Sequence, residues 1–217
     1  DDVWLPNKME VTLQKMRQME DGFWGVKPLL VHTDLKVVDR DLKTLSESMF
    51  IRQNLDSSRD QLNNLLAQNI VTGCTMMVNA ALLNVVKVIP EKSIMHDWWM
   101  ALVASAFGQI GFVNAPTILY RQHSNNEVGS KDAGSLQYNL KRMLSRKHSK
   151  SVLLDTYEQA KTFLESYENQ LTTQQLNIAE AYSSIPTFTK LKRLHTVQKY
   201  DFWKIGFIRK CGQVLFI

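Results

Sequence analysis

Apolar positions recur along this chain at helical spacing, then in short β-branched blocks, then at helical spacing again to the C-terminus. Met9, Leu13, Met16 and Met19 form one stripe behind Leu5-Pro6, which predicts a helix with proline in its first turn and mostly core methionines. Gly22 and Gly25 end it. Leu29 to His32 predicts a strand, Thr33-Asp34 a turn, and Val37-Val38 a second short apolar piece. Helical spacing returns over residues 44–55 and 58–68, with Ser58 as N-cap and Asp60 in the first turn. Val71 to Val78 changes texture: β-branched and apolar residues surround Gly73, as in a buried strand with a bulge, or less readily a ligand-binding loop. Asn79 then opens a short helix, Ala80 to Val86.

From Met100 to Tyr120 no side chain is ionisable. Gly108, Gln109, Gly111, Asn114 and Pro116 break this span, so it divides into two elements rather than crossing a membrane. Asp97 to Phe107 reads as a buried helix with Gly108 past its end, and Ile110–Val113 and Thr117–Tyr120 as extended pieces. Ser124 to Ser130 has loop composition and is a candidate lid. Helices are expected over about residues 135–146, 152–169 and 173–183, with no internal repeat. The fold class is therefore α/β to about residue 130, followed by an all-helical region, 131–185, and a tail, 186–217.

With 217 residues and 44% hydrophobic content the chain can bury a substantial core. Its net charge of +5 is unevenly placed: the tail carries seven Lys/Arg against Asp201 alone, and the rest has 19 basic against 20 acidic residues. A positive field therefore belongs to the tail. There Phe202, Ile205, Ile208 and Leu215 combine with Lys204, Arg209 and Lys210, and Tyr200, Phe202, Trp203 and Phe207 cluster. This suits a helix in the headgroup layer of an anionic membrane. Nucleic acid is the less favoured partner because the chain closes on Val214-Leu215-Phe216-Ile217; simple packing on the domain is the third reading. Cys74 and Cys211 have no metal-ligand or redox spacing, which favours a reducing compartment. The opening Asp1-Asp2, in place of Met, leads us to expect residues upstream.

The charge-free span sets Asp97 at one end and His123 at the other. Returned to one cleft, the pair could perform acid/base or metal chemistry; otherwise Asp97 caps its helix and His123 is a loop residue. Asp1 and Asp2 are either acidic residues favoured before a helix N-terminus or oxygen ligands for a divalent cation. Nothing adjacent to Cys74 would lower its pKa, which argues against a catalytic thiol.

These stretches together resemble family-2 glycosyltransferases, particularly the rhamnosyltransferase-like bacterial group. The resemblance rests on Asp1-Asp2-Val3-Trp4-Leu5-Pro6-Asn7-Lys8-Met9-Glu10, Val31-His32-Thr33-Asp34-Leu35 with Val38-Asp39, Gly73-Cys74-Thr75-Met76, His96-Asp97-Trp98-Trp99 and Tyr120-Arg121-Gln122-His123 in order. Phe202-Trp203-Lys204-Ile205-Gly206-Phe207 extends it over nearly the whole chain. It implies a GT-A fold entered at its metal motif, with Asp1 as the second Asp of Asp-x-Asp and the nucleotide-binding half upstream; residues 1–130 would be the metal and acceptor side.

What the resemblance implies chemically is an inverting transfer of a sugar, L-rhamnose among the candidates, from a nucleoside-diphosphate donor such as dTDP-L-rhamnose. The acceptor would be a saccharide or lipid-linked saccharide in cell-surface polysaccharide synthesis, at the cytoplasmic membrane face. Asp97 would be the base. Asp1, Asp2 and His123 would hold Mg²⁺ or Mn²⁺, and Arg121 and His123 would touch the donor diphosphate. Gly73, Cys74, Thr75, Trp98 and Trp99 would line the acceptor side. The competing expectation is a non-catalytic membrane or partner-docking module whose carboxylates are structural. Phosphoester hydrolysis is weaker, since no His/Asp set suffices for two metals.

Overall fold

The computed structural model describes residues 2–21, 27–122 and 146–217. The expected glycine break at 22–25, the loop 124–130 and nearly all of the helix at 135–146 lie outside these residues, as do Asp1 and His123.

The architecture is mixed α/β. Strand β2 (Leu29–Val38) is buried along its whole length except at Lys36, and a continuous Leu/Val-rich run is what a two-sided central strand requires. It pairs in parallel with β5 (Gln109–Arg121), from Leu29 opposite Gln109 to Val38 opposite Arg121. β1 (Val3–Trp4) adds antiparallel to β5, while β3 (Thr44–Ser46) and β4 (Met77–Val78) share the other side of β2, both antiparallel.

Thr33-Asp34 is not a turn. Both residues stay in β2, where the register shifts past Asn114 and Ala115 of β5, and the Thr33 and Thr117 hydroxyls meet at 2.6 Å across the irregularity. The Asp34 carboxylate, nearly fully buried, accepts the N–H groups of Leu35, Met49 and Phe50 and the Ser48 hydroxyl. That network holds α2 (Met49–Gln53) on the sheet, with Ser48 as its N-cap. Hence the expected helix over 44–55 is a short strand and one helical turn. The next expected helix begins later as well: Ser58 bonds back to Asp56, and α3 runs only Leu62–Ala67. After a 3₁₀ turn, Gly73–Thr75, come β4 and α4 (Ala80–Val86), capped as expected by Asn79.

Helix α1 (Lys8–Asp21) lies on one sheet face through Met16 and Met19, which pack on Leu29 and Val31. Met9 and Leu13 are exposed, so the stripe predicted from sequence is turned, and Thr12 and Lys8 take the inner positions. Helix α5 (His96–Phe107) ends at Gly108 as expected. A Cβ there would sit 1.6 Å from the Pro28 carbonyl oxygen, so this close approach of two backbones admits only glycine.

The other face carries the larger core. Trp99 and Leu102 of α5 and Leu65 and Leu66 of α3 meet Phe163 of α6 (Arg146–Tyr167) and Tyr182 of α7 (Thr173–Ser183). α7 starts at Thr172, whose side chain and that of Gln175 form a reciprocal capping box. Helices α8 (Lys190–Tyr200) and α9 (Phe207–Phe216) complete the chain. Of the aromatic residues expected at a membrane, Phe202 is fully buried, edge-on to Tyr182 and stacked with Tyr200, and Trp203 packs beside this core. Only Phe207 stands out from the group.

His32 lies in the core between Phe50 and Phe112, and neither ring nitrogen has a hydrogen-bond partner among the described residues. Burial holds it neutral and lowers its pKa from 6.5 to about 4. Because the unfolded chain takes the proton first, stability present above pH 6.5 is lost as pH falls towards 4, by on the order of 3 kcal/mol. Replacing His32 by Leu should flatten that part of the stability profile in urea titrations; an unchanged acid limb would show that His32 is protonated in the fold.

Candidate active site

Asp97 occupies the second position of α5. Met95, not Asp97, is the N-cap, so the carboxylate is free to reach outside its own helix. Its Oδ2 accepts the Gly73 N–H at 2.7 Å and its Oδ1 the Asn69 side-chain amide at 3.1 Å. Asn69 is itself held by Val71, donating to its carbonyl at 2.9 Å and accepting its N–H at 2.9 Å. The side chain is almost entirely buried.

Burial raises the Asp97 pKa, and four charge-stabilising contacts oppose it: the Gly73 N–H, the nearby His96, the Trp98 N–H and Asn69. The outcome is a carboxylate with a stronger hold on a proton than an exposed one, fixed in direction by the Gly73, Asn69 and Trp98 N–H donors. Such a group suits proton acceptance from a hydroxyl near neutral pH.

Gly73 is the close neighbour that makes this possible. A Cβ at this position would lie 2.7 Å from His96 Nε2 and 3.2 Å from Asp97 Oδ2, so the His96 ring stands directly over the glycine. Next along the turn, the Cys74 thiol lies beside the Asp2 carboxylate. Burial first, and then the negative charge of Asp2, push that thiol up to about 12. It is a neutral thiol and not a nucleophile. Asp2 Oδ1 also accepts the Arg121 N–H at 3.1 Å, a consequence of β1 pairing with β5. Lys8, buried beneath this corner with its ammonium 4.6 Å from the centre of the Trp4 ring, has its pKa lowered by burial.

Five of the residues singled out from sequence are thus linked in an unbroken chain of contacts: Asp97, Gly73, Cys74, Asp2 and Arg121. The Arg121 guanidinium reaches the Arg40 carbonyl oxygen at 2.7 Å. The remaining acceptor-side candidates point elsewhere. Thr75 is fully buried, its hydroxyl donating to the Thr72 carbonyl at 2.7 Å. Trp98 packs into the core with its indole N–H on the Leu65 carbonyl at 2.6 Å, and Trp99 is enclosed against Phe163 and Tyr167. Their spacing on α5 directs them to the core, and no ring face is left for a sugar.

Two residues at the site were not selected from sequence. His96 was visible as the neighbour of Asp97; Asn69 carried no local signal, since 28 positions separate it from the carboxylate it positions.

For a divalent cation, Asp2 is the one expected ligand among the described residues, and its carboxylate already accepts the Arg121 N–H and lies beside the Cys74 thiol. No cluster of three or more His, Cys, Asp or Glu side chains suited to a metal occurs among the described residues. By themselves these groups do not complete a cation site. Compared with known protein families, curated proteins and solved structures, the chain matches none.

The raised Asp97 pKa has a measurable consequence. The folded state holds the proton more tightly than the unfolded chain, whose carboxyl titrates near 3.8, so the favourable contribution is full below that pH. It is lost as pH rises through the folded value. The stability of the wild type relative to Asp97→Asn should therefore fall as pH increases from about 3.8, in urea titrations across the acid range. A difference that grows with pH would mean that hydrogen bonding outweighs burial.

Proposed function

We propose that this chain is the metal- and acceptor-side part of an inverting, GT-A-type glycosyltransferase that uses a nucleoside-diphosphate sugar. What supports the reading is one observation: a buried, hydrogen-bonded carboxylate, Asp97, is joined through the Gly73-Cys74 turn to Asp2 and Arg121. These groups come from four distant segments, and the sequence resemblance assigns each a part in the same reaction.

In this proposal the acceptor saccharide's hydroxyl oxygen attacks the anomeric carbon while its proton passes to Asp97. The bond to the nucleoside diphosphate breaks on the opposite side, and that group leaves with the electron pair. Asn69 and Gly73 aim the base, and the absence of a side chain at Gly73 lets the His96 ring stand over the turn beside the carboxylate. The Gly73, Asn69 and Trp98 N–H groups take three of the carboxylate's roughly four lone-pair sites, so it can still accept the proton. A Mg²⁺ or Mn²⁺ ion, held by Asp1 and Asp2 with His123, belongs to the same proposal; when bound it would offset charge on the departing diphosphate. L-rhamnose is one candidate donor sugar, a saccharide or lipid-linked saccharide the acceptor, and the cytoplasmic membrane face the place of reaction.

The test is transfer by the full-length protein, read as release of nucleoside diphosphate across a panel of sugar nucleotides that includes dTDP-L-rhamnose. Asp97→Asn should reduce turnover by about 10²–10⁴-fold, the usual contribution of a general base, while donor affinity stays unchanged. Chelation of divalent cations should abolish turnover and added Mg²⁺ or Mn²⁺ restore it. Retained turnover in Asp97→Asn would overturn the base assignment, and failure with every donor would overturn the class.

A further inference from the structure

Helix α9 is oriented with polar groups inward and apolar groups outward. On its inner side Arg209 donates to the carbonyl oxygens of Gln53 at 2.7 Å, Asn54 at 3.3 Å and Ile205 at 3.3 Å. Beside it Gln213, only 2% exposed, donates to the Phe202 carbonyl at 2.8 Å and accepts the Lys204 N–H at 3.0 Å. Phe216 and Ile217 close the inner side against the core. Helical spacing places Phe207, Cys211, Val214 and Leu215 on the outer side, where Phe207 is 81% and Leu215 56% exposed.

A second exposed apolar residue lies on an element tied to α9. The carbonyls that Arg209 grips belong to the end of α2, whose Ile51 is 82% exposed. Gly206, the residue before Phe207, lies against Asn54. Ile51 and Phe207 therefore protrude from two elements tied together, although 155 positions separate the Asn54 and Arg209 that join them.

The surrounding charge identifies the partner. Lys210 is on the exposed side, and residues 186–217 contain seven basic groups and one acidic group, Asp201. That acid is already paired with Arg59 at 2.6 Å. Exposed Phe207 and Leu215 on the helix that carries Lys210, in a basic tail, suit a layer of anionic headgroups over acyl chains, and Glu47 and Asp56 are the acidic groups beside Ile51. At ten residues α9 cannot cross a bilayer, and no helix among the described residues is long and apolar enough to do so.

We propose that the outer face of α9, with Ile51 of α2, is a membrane-docking surface for anionic lipid, in which Phe207 and Leu215 enter the acyl boundary and Lys210 contacts headgroups. This assignment is independent of the transferase reading. It differs from the sequence-based expectation for the tail, because Tyr200, Phe202 and Trp203 are turned into the protein and Ile51 comes from another segment.

Vesicle flotation of the full chain tests it, with phosphatidylcholine alone and with roughly one-third phosphatidylglycerol. Wild type should float with the anionic vesicles, less so at high salt, and not with the neutral ones. Phe207→Ser/Leu215→Ser should weaken binding by about tenfold or more, and Ile51→Ser should weaken it further. Lys210→Glu should also weaken it, independently of the apolar changes, and circular dichroism should show all variants folded. Equal flotation of wild type and Phe207→Ser/Leu215→Ser would overturn the proposal. So would a self-associating wild type that the double variant makes monomeric while no anionic vesicle captures either.

Discussion

The parallel pairing of β2 with β5 is the constraint on which the rest depends. Two parallel strands cannot be joined by a tight turn, so the chain between them must leave the sheet and return. Here that crossover spans residues 39–108 and contains β3, α2, α3, the Gly73 turn, β4, α4 and all of α5. Its return through α5 is fixed by the contact of Gly108 with the Pro28 carbonyl. Because β2 is buried on both faces, α1 must cover one and the α3–α5 layer the other. The Gly73 turn and the start of α5 are thereby brought together on the same crossover.

Asp97 shows how the site follows from that constraint. A helix N-terminus offers unpaired N–H groups and a positive dipole end, which favour a nearby carboxylate. In this fold the carboxylate keeps the Trp98 N–H of its own helix end and bonds also to the Gly73 N–H of a neighbouring turn. Burial and hydrogen bonding then act in opposite directions on its proton affinity, and burial is the larger effect. A carboxyl used only for structure is better served by the arrangement at Asp34. There three N–H groups and a hydroxyl converge on one side chain and tie α2 to the sheet. The two buried carboxylates differ in their partners: Asp34 accepts three N–H groups and a hydroxyl, Asp97 the N–H groups of Gly73, Asn69 and Trp98.

The same distinction between polar inside and apolar outside separates α9 from the other helices. α5 turns Trp98, Trp99 and Leu102 inward, as burial of apolar area requires. α9 is attached largely by an arginine and a glutamine that satisfy carbonyl and N–H groups at the ends of other elements. These hydrogen bonds fix which way the helix faces, and the apolar side is left outside.

Much was legible from local pattern alone. The α5 helix with Gly108 behind it, the Asn79-capped α4, and α7 from Thr173 to Ser183 depend on capping chemistry and periodicity within a few residues, which the sequence states directly. Asp97 and Gly73 were each singled out from the sequence, but their contact was not. By contrast, Thr33-Asp34 reads as a turn because those residue types favour turns, and it became strand because β5 supplied Thr117 and α2 supplied donors for the carboxylate. Trp98 and Trp99 could have faced a ligand by composition; only the packing of α6 on α5 enclosed Trp99. The tail carried its charge and its aromatics openly, yet which of them face solvent was set by long-range bonds from Arg209 and Gln213. The charge-free span between Asp97 and Arg121 thus specified a helix and a strand by itself, because backbone and capping preferences are local. What Asp97 touches was decided by tertiary structure, because Gly73 and Asn69 reach it only when the crossover closes.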